Sequence, residues 1–521
     1  MSRRRKTPFN YTKATFLLIT ALTFFRLIYA TTIELVGDEA QYWLWSTPTH
    51  LDMCYFSKGP AVAWTIAAGT AIFGNTVLGI RFFAVMLAAG TAVWIFFLAR
   101  QMFGARTAFW AVVIGNVAPL FAIGGILMTI DPLSVFFWTT AAACFWRAKD
   151  SQRLIPWVGT GLLVGCGALA KYTNLVQLLC FALFLIFTPP FRFQLRRAPF
   201  WLMILVALFC LTPAVLWNAK YDWVTVEHIL HRGGLDKPFT IQLTELVQFF
   251  TEQALVYSPL LFLAVLIAVF LALSTNPIPI PYRFLLALFL PLFLFYTFIS
   301  LNENALGNWT APAFVSGFIL AAAVWLPLTR LRPSWRYFAY AALGLAFLQT
   351  TLLHNTLPLN LPNRYDPLDR VRGSESLARE VSLVQQETGA TFIIANQYSW
   401  ASLLSFYLPE NPQVFLPSAV GIRNQFSFWS DYTDGYWGYS ALYVTDSNEV
   451  PPQLEREFAS VELVRDFFTE HRGRRIRRFF IFLCSDFGRL LEEPEPIEEV
   501  LISPPEVEPE PPPPPARPRR R

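Results

Sequence analysis

Charge is what this chain has least of. Asp, Glu, Lys and Arg make up 15% of its 521 residues, against about 25% in ordinary soluble domains, and the deficit excludes a chain solvated throughout. The net charge of +5 is small for the length, so nucleic acid is not expected as a partner. Cysteine is also sparse. Cys54, Cys144, Cys166, Cys180, Cys210 and Cys484 are scattered, with no spacing that suggests a disulfide framework or a metal site, and they read as small lipid- or core-facing residues. No internal repeat is visible. The first apolar run is not followed by a small-residue cleavage site, so it is expected to stay as an uncleaved first span.

What is abundant is apolar surface, 54% of the residues. Apolar runs long enough to cross a bilayer recur from near the N-terminus to about Pro358, broken by short polar or Pro-rich segments. Basic clusters calibrate them: Arg3, Arg4, Arg5 and Lys6; Arg100 and Arg106; Arg147, Lys149 and Arg153; Arg192, Arg196 and Arg197; Arg283; Arg330, Arg332 and Arg336. They fall at every second boundary, which by the positive-inside rule makes those ends cytoplasmic. The expected spans are 14–33, 79–99, 108–128, 132–148, 156–170, 174–189, 199–217, 257–274, 284–301, 310–328 and 337–357. Interfacial or re-entrant helices would bring the count to about 11–13. The fold class is therefore mostly α, a polytopic transmembrane helical bundle in the plasma membrane.

The expected organisation is a cytoplasmic basic N-terminus at 1–13, a transmembrane domain at 14–357 with its first outside loop at 34–78, and a small extracytoplasmic α/β domain at 358–485. In that last domain "DPLDRVRGSESLAREVSLVQQETG" has helical apolar spacing, while "ATFIIAN", "GYSALYVT" and "IRRFFIFLCS" read as strands. Residues 486–521, acidic, then polyproline, then basic, cannot bury a core and are expected to be disordered.

The outside loops hold the residues with chemistry. "VGDEAQYWLW" places Asp38 and Glu39 side by side against the membrane. Adjacent carboxylates near low dielectric repel, so one of them is expected to have a raised pKa and to act as a general base; the other reading is a solvated loop or a helix cap. Lys58 in "MCYFSKGP" sits where a lipid phosphate can be met as a point charge, or simply snorkels. Asp131 precedes Pro132 at a helix start and is explained as an N-cap, but adds a third carboxylate. Lys171 interrupts a long apolar stretch, as an outside turn or as an intramembrane charge with a partner. "WNAKYDWVTVEHILHRGG" adds Lys220, Glu227, His228, His231 and Arg232. The i, i+3 histidines with a carboxylate are only a weak pattern for a metal. Carboxylates able to deprotonate a nucleophile and cations able to hold a departing phosphate, beside a lipid-facing loop, suit group transfer from a lipid phosphate.

In chain order, "GDEAQYWLW", "YFSKGP", "RFFAVMLAAGTAVWIFFLAR", "LMTIDPLSVFFW", "ALAKYTNLV", "PAVLWNAKYDWVTVEHILHRGG", "GNWTAPAF" and "YDPLDRVRGSESLARE" are similar to the blocks of a bacterial membrane glycosyltransferase family. The chain resembles the dolichyl-phosphate-mannose protein mannosyltransferase superfamily, in the branch containing the aminoarabinose transferase of lipid A, over about residues 15–445. The resemblance implies a GT-C enzyme that takes a sugar from a polyprenyl-phosphate donor. It would attach that sugar, with inversion, to a glycolipid, protein or envelope acceptor outside the membrane. It implies that Asp38 is the first-loop catalytic acid, with Glu39 matching the same pattern, and that Asp131 is the second acidic site. Lys58 would be the phosphate-contacting lysine, joined by Arg232 or Lys171. One block departs from the family: "YFSKGP" has Ser57 where an acid or histidine is common, which puts in doubt any metal site using that acid. No cofactor is required, because Lys and Arg can neutralise the phosphate; a divalent metal is left open. The rival readings are a transporter or lipid flippase, which would show mid-membrane charges in broken helices and a repeat, and a non-catalytic envelope-assembly subunit.

Overall fold

A single asparagine starts the bundle. Asn10 accepts a hydrogen bond from the Lys13 amide at 3.0 Å, and the apolar run behind it becomes α1 (Tyr11–Ala30). The computed structural model describes residues 9–488 except 357–358, 360, 362–364, 419–420, 422–423 and 472. The start of the basic N-terminus and residues 489–521 of the expected tail lie outside the described residues. After α1 come α2 (Gly37–Trp45), α3 (Ala61–Phe73), α4 (Val77–Phe103), α5 (Ala105–Val117), α6 (Pro119–Gly124), α7 (Ile130–Ala148), α8 (Ile155–Ala170) and α9 (Val176–Ile186). The bundle continues with α10 (Ala198–Phe209), α11 (Thr212–Lys220), α12 (Val224–Arg232), α13 (Leu243–Tyr257), α14 (Pro259–Leu273), α15 (Ile280–Ile299), α16 (Ala311–Leu331) and α17 (Pro333–His354).

The expected apolar runs all become helices, but two are not the single rods anticipated. The 108–128 run breaks between α5 and α6, because Pro119 cannot donate to the helix ladder and forces Ala118 into extended backbone. The 199–217 run bends by 43° between α10 and α11, just before Pro213, and α13 meets α14 at 106° ahead of Pro259. Among the described residues four helices are long and apolar enough to cross a bilayer, or six if each bent pair is one span, fewer than the 11–13 expected; the protein is a multi-pass membrane protein. In the span containing α16, 83% of the apolar window is buried, against 22% in α1. α16 is therefore the axis of the bundle and α1 its lipid-facing rim. Small residues set other contacts: a Cβ on Gly161 of α8 would lie 2.4 Å from the Met203 carbonyl of α10 and one on Gly165 2.5 Å from Cys210, so the G-x-x-x-G face lets the two backbones touch.

Beyond α17 the chain builds an α/β domain: α18 (Ser374–Thr388), β1 (Phe392–Ala395), α19 (Tyr398–Tyr407), β2 (Ala441–Thr445), α20 (Pro452–Glu457), β3 (Phe458–His471) and β4 (Arg474–Phe487). The strand order is β1-β2-β4-β3. β1 and β2 run parallel, with Phe392 opposite Ala441; β4 is antiparallel to both its neighbours. Three of these strands were expected and β3 was not. It is the edge strand, and its charges obscure the alternation of its apolar residues.

This domain is fastened to the first interhelical loop. Glu34 accepts hydrogen bonds from the Gly373, Ser374 and Glu375 amides at 3.0, 2.5 and 3.1 Å, so a carboxylate satisfies the free N–H groups that begin α18. The Leu35 amide donates to the Tyr407 hydroxyl at 2.7 Å, and Phe406 packs edge-on against Trp43 at 5.0 Å. A Cβ on Gly37 would lie 2.6 Å from the Ser399 Cβ, so α2 and α19 approach as closely as only glycine allows.

Candidate active site

Chain neighbours Asp38 and Glu39 occupy the first turn of α2 and face opposite environments. Glu39 is fully buried. Its Oε1 accepts from Arg81 Nε at 2.8 Å and its Oε2 from Arg81 Nη2 at 2.5 Å, and the Met128 amide donates to Oε1 at 2.8 Å. Arg81 also donates to the carbonyls of Ala30, Ile33 and Glu34, each at 2.8 Å. The pair thus ties the end of α1, the following loop, α2, α4 and the approach to α7 into one knot. Arg81 thus sets an opposite charge against Glu39 in a position closed to solvent. Asp38 is exposed. Val36 holds the N-cap position of α2 and its amide donates to Glu39 Oε2 at 3.2 Å, so the capping expected of this pair falls to Glu39.

Asp131 is not an N-cap either. Thr129 caps α7, accepting from the Asp131 amide at 3.3 Å, which frees the Asp131 carboxylate for tertiary bonds. Lys171 Nζ donates to its Oδ1 at 2.9 Å and Asn308 Nδ2 to its Oδ2 at 2.6 Å. Lys171 terminates α8 in extended backbone, so the interruption read in the sequence is a helix end whose charge has found its partner. Ser134 and Asn174 lock the same junction at 2.6 Å.

Lys58 lies in a tight turn in which the Tyr55 amide donates to the Lys58 carbonyl at 3.1 Å. Trp45 stacked on Tyr55 at 4.3 Å packs that turn, and Gln425 of the C-terminal domain accepts from the Phe56 amide at 2.7 Å. Burial pulls the Lys58 ammonium below its ordinary pKa, as do the charges of Lys171 and Arg232, while Asp38 and Asp131 act in the other direction. Those five residues come from five separate chain segments, and all lie within electrostatic reach of one another's centre at Lys58.

Arg232 ends α12, exposed, with its guanidinium 5.2 Å from the centroid of the Trp309 ring. His228, one turn earlier, leans on Phe56 at 4.7 Å. Burial, and then Lys58, His231 and Arg232, lower its pKa to about 4. His231 turns away to Asp236 at 2.7 Å, so the two histidines do not converge. Among the described residues no group of three or more His, Cys, Asp or Glu side chains could hold a metal ion.

Four contributors escaped the sequence reading. Tyr42, buried in α2, feels the charges of Asp38, Asp131 and Tyr398. Asn308 holds Asp131, Arg81 holds Glu39, and Tyr398 reaches in from the C-terminal domain. Asn308 had a signal, in the polar "GNW" turn before α16; Tyr398 had none.

Residues 57–217 match the family described as dolichyl-phosphate-mannose-protein mannosyltransferase. The lipid A galacturonosyltransferase RgtD of Rhizobium johnstonii is 27% identical over 78% of this chain and 85% of its own length. An undecaprenyl phosphate-alpha-4-amino-4-deoxy-L-arabinose arabinosyl transferase of Pseudomonas aeruginosa is 30% identical, over only 24% of each chain. In fold, the chain resembles ArnT from Cupriavidus metallidurans in the apo state, with a TM-score of 0.57 at 15% identity over 91% of this chain and 98% of that one. The undecaprenyl phosphate-bound form of that protein gives 0.58 at 16% identity over 90% and 97%. Over residues 57–217 the chain is thus similar to the dolichyl-phosphate-mannose-protein mannosyltransferase family, over most of its length it is similar to a lipid A galacturonosyltransferase, and its fold resembles that of ArnT.

Proposed function

We propose that the protein transfers a sugar from a polyprenyl-phosphate donor to a hydroxyl or phosphate of lipid A or a related envelope glycolipid, at the extracytoplasmic face of the inner membrane. The observation that carries this reading is that the charges of Lys171, Asp38, Asp131 and Arg232 all act at Lys58, with Lys171 and Asp131 paired at 2.9 Å. The basic clusters at the opposite helix ends support the orientation.

Asp38, exposed and anchored by its buried neighbour, takes the proton of the acceptor oxygen as that oxygen bonds to the sugar C1. The bond from C1 to the phosphate oxygen breaks on the opposite face, its electron pair leaves with the polyprenyl phosphate, and the anomeric configuration inverts. Lys58 and Arg232 take up the charge that accumulates on the leaving phosphate. The Lys171–Asp131–Asn308 chain fixes the wall between base and cations; Lys171 is already paired, so its phosphate role is secondary. His228 stays neutral and serves as packing for the Phe56 turn.

The test is twofold. Envelope glycolipids from cells with and without the gene are compared by mass spectrometry; loss of one pentose or hexuronic acid from lipid A is expected. Asp38→Asn, reconstituted in liposomes, should lose about 10²–10⁴-fold in turnover while still binding undecaprenyl phosphate. An unaltered envelope, or an undiminished rate in the variant, would end this reading.

A further inference from the structure

The C-terminal domain does more than rest on the bundle, since it brings one side chain to the reacting carboxylate. Tyr398 is the first residue of α19 and is 38% exposed. Two independent restraints hold it there. Below, Gly37 admits Ser399 to within 2.6 Å of where a Cβ would stand, which presses the start of α19 onto the start of α2. Behind, Asn396, Gln397 and Trp400 all donate to the Asp446 carboxylate, at 2.8, 3.3 and 3.3 Å, which fixes the turn from β1 into α19. The buried run Ala401–Phe406 completes the anchoring, so the helix does not need Tyr398 for its packing.

An exposed phenol is thus held beside an exposed carboxylate. The charge acting on Tyr398 is that of Asp38, whereas the charges acting on Lys58 come from Lys171, Asp38, Asp131 and Arg232. Tyr398 and Asp38 each stand one residue from the Gly37–Ser399 approach, which sets the start of α19 against the start of α2. Among the described residues its hydroxyl has no hydrogen-bond partner within the chain.

We propose that Tyr398 is an acceptor-positioning residue, whose hydroxyl donates to the attacking oxygen of the incoming glycolipid and holds it against Asp38. The inference rests on the transferase reading above and extends it: the acceptor subsite is shared between the bundle and the C-terminal domain. The attacking oxygen keeps a lone pair for C1 while its proton goes to Asp38, so Tyr398 gives up no proton in the step. Burial and the neighbouring carboxylate both keep the phenol protonated, the state in which it can donate.

The experiment uses the full chain in proteoliposomes. The donor is undecaprenyl phosphate carrying 4-amino-4-deoxy-arabinose or galacturonic acid, whichever the unaltered protein turns over, and the acceptor is lipid A. Tyr398→Phe, which keeps the ring, should raise the KM for lipid A about 2- to 12-fold, the worth of one hydrogen bond. Donor hydrolysis without acceptor and the thermal midpoint in detergent should not change. An unchanged KM, or a rise in KM that comes with a lowered midpoint or slower donor hydrolysis, would overturn the positioning role. Failure of the unaltered protein to transfer either sugar would instead remove the transferase reading itself.

Discussion

Converting Asp38 and Glu39 one at a time to their amides tests whether the two carboxylates divide their labour as the fold divides their surroundings. Both members of the Glu39–Arg81 pair are 0% exposed. Glu39→Gln leaves the guanidinium buried against three carbonyls with no counter-charge. Breaking one side of such a pair costs about 3–5 kcal/mol, a large part of the roughly 5–15 kcal/mol by which a domain is stable. Asp38 is exposed, and a surface change of this kind costs about 0.5 kcal/mol or less. Purified in detergent and heated, Glu39→Gln should lose its monodisperse form well before the parent, and Asp38→Asn should follow the parent. Replacing both partners, Glu39→Met with Arg81→Met, should recover much of the loss, because apolar residues of similar volume substitute well for a buried pair. A Glu39→Gln protein as heat-resistant as the parent, yet as inactive as Asp38→Asn, would make Glu39 a reacting group and refute the division.

Two further outcomes follow from the loops around the site. Glu34→Gln weakens the charge-assisted bonds to three amides, worth about 1.5–3 kcal/mol each to a charged group, so hydrogen exchange at Gly373–Glu375 should accelerate while the α4 amides stay protected; equal protection in both proteins would mean the contact does not fasten the domain. His228 is held near pKa 4, below an unfolded value of about 6.5, so the unfolded chain binds more protons between those values. Stability should fall as pH drops from about 6.5 towards 4, and His228→Gln should flatten that part of the midpoint-against-pH curve; an identical slope in the variant would show that His228 titrates normally.

The spans were legible because a bilayer demands long apolar runs and the chain supplies them. What sequence could not show was where such a run folds on itself: Pro119 and Pro213 are compatible with a kinked helix or a broken one, and neighbouring packing decides. The charged members of the site were legible for a related reason. A charge beside lipid costs enough that each one needs a purpose, so Asp38, Lys58, Asp131 and Lys171 stood out against their apolar surroundings. Their partners did not. Glu39 and Asp38 look alike until Arg81 is seen to reach back across α2, and Arg81 reads locally as one basic residue near a helix start. β3 was hidden by Glu462, Arg465, Asp466 and Glu470, charges that protect an exposed edge from further pairing and mask its apolar face. Tyr398 comes near Asp38 through the approach of Gly37 to Ser399, which no local pattern announces.

The pocket's charge suggests how it can favour leaving over binding. Asp131 and Lys171 pair at 2.9 Å, and among the described residues acting at Lys58 the remaining charges are those of Asp38 and Arg232 with Lys58 itself, a surplus of one positive charge. On the proposed reaction the donor enters as a phosphodiester with one negative charge and leaves as a phosphomonoester, whose second ionisation lies near pKa 6. The additional charge appears as C1 departs, so a surplus cation stabilises the later stage more than the earlier one. Lys58 is suited to this because it is only partly exposed, so its attraction to a growing anion is screened less than at the open surface. At an effective dielectric of about 20 and a separation of several ångströms, one extra unit of charge is worth about 1–2 kcal/mol after screening, roughly tenfold in affinity. Lys58→Met should therefore weaken binding of undecaprenyl phosphate about tenfold more than it weakens binding of the sugar-linked diester, when both are measured by displacement of a fluorescent polyprenyl phosphate at pH 7.5. Equal losses for the two ligands would mean that Lys58 contributes uniform binding, and the charge that develops on the phosphate would have to be met by Arg232.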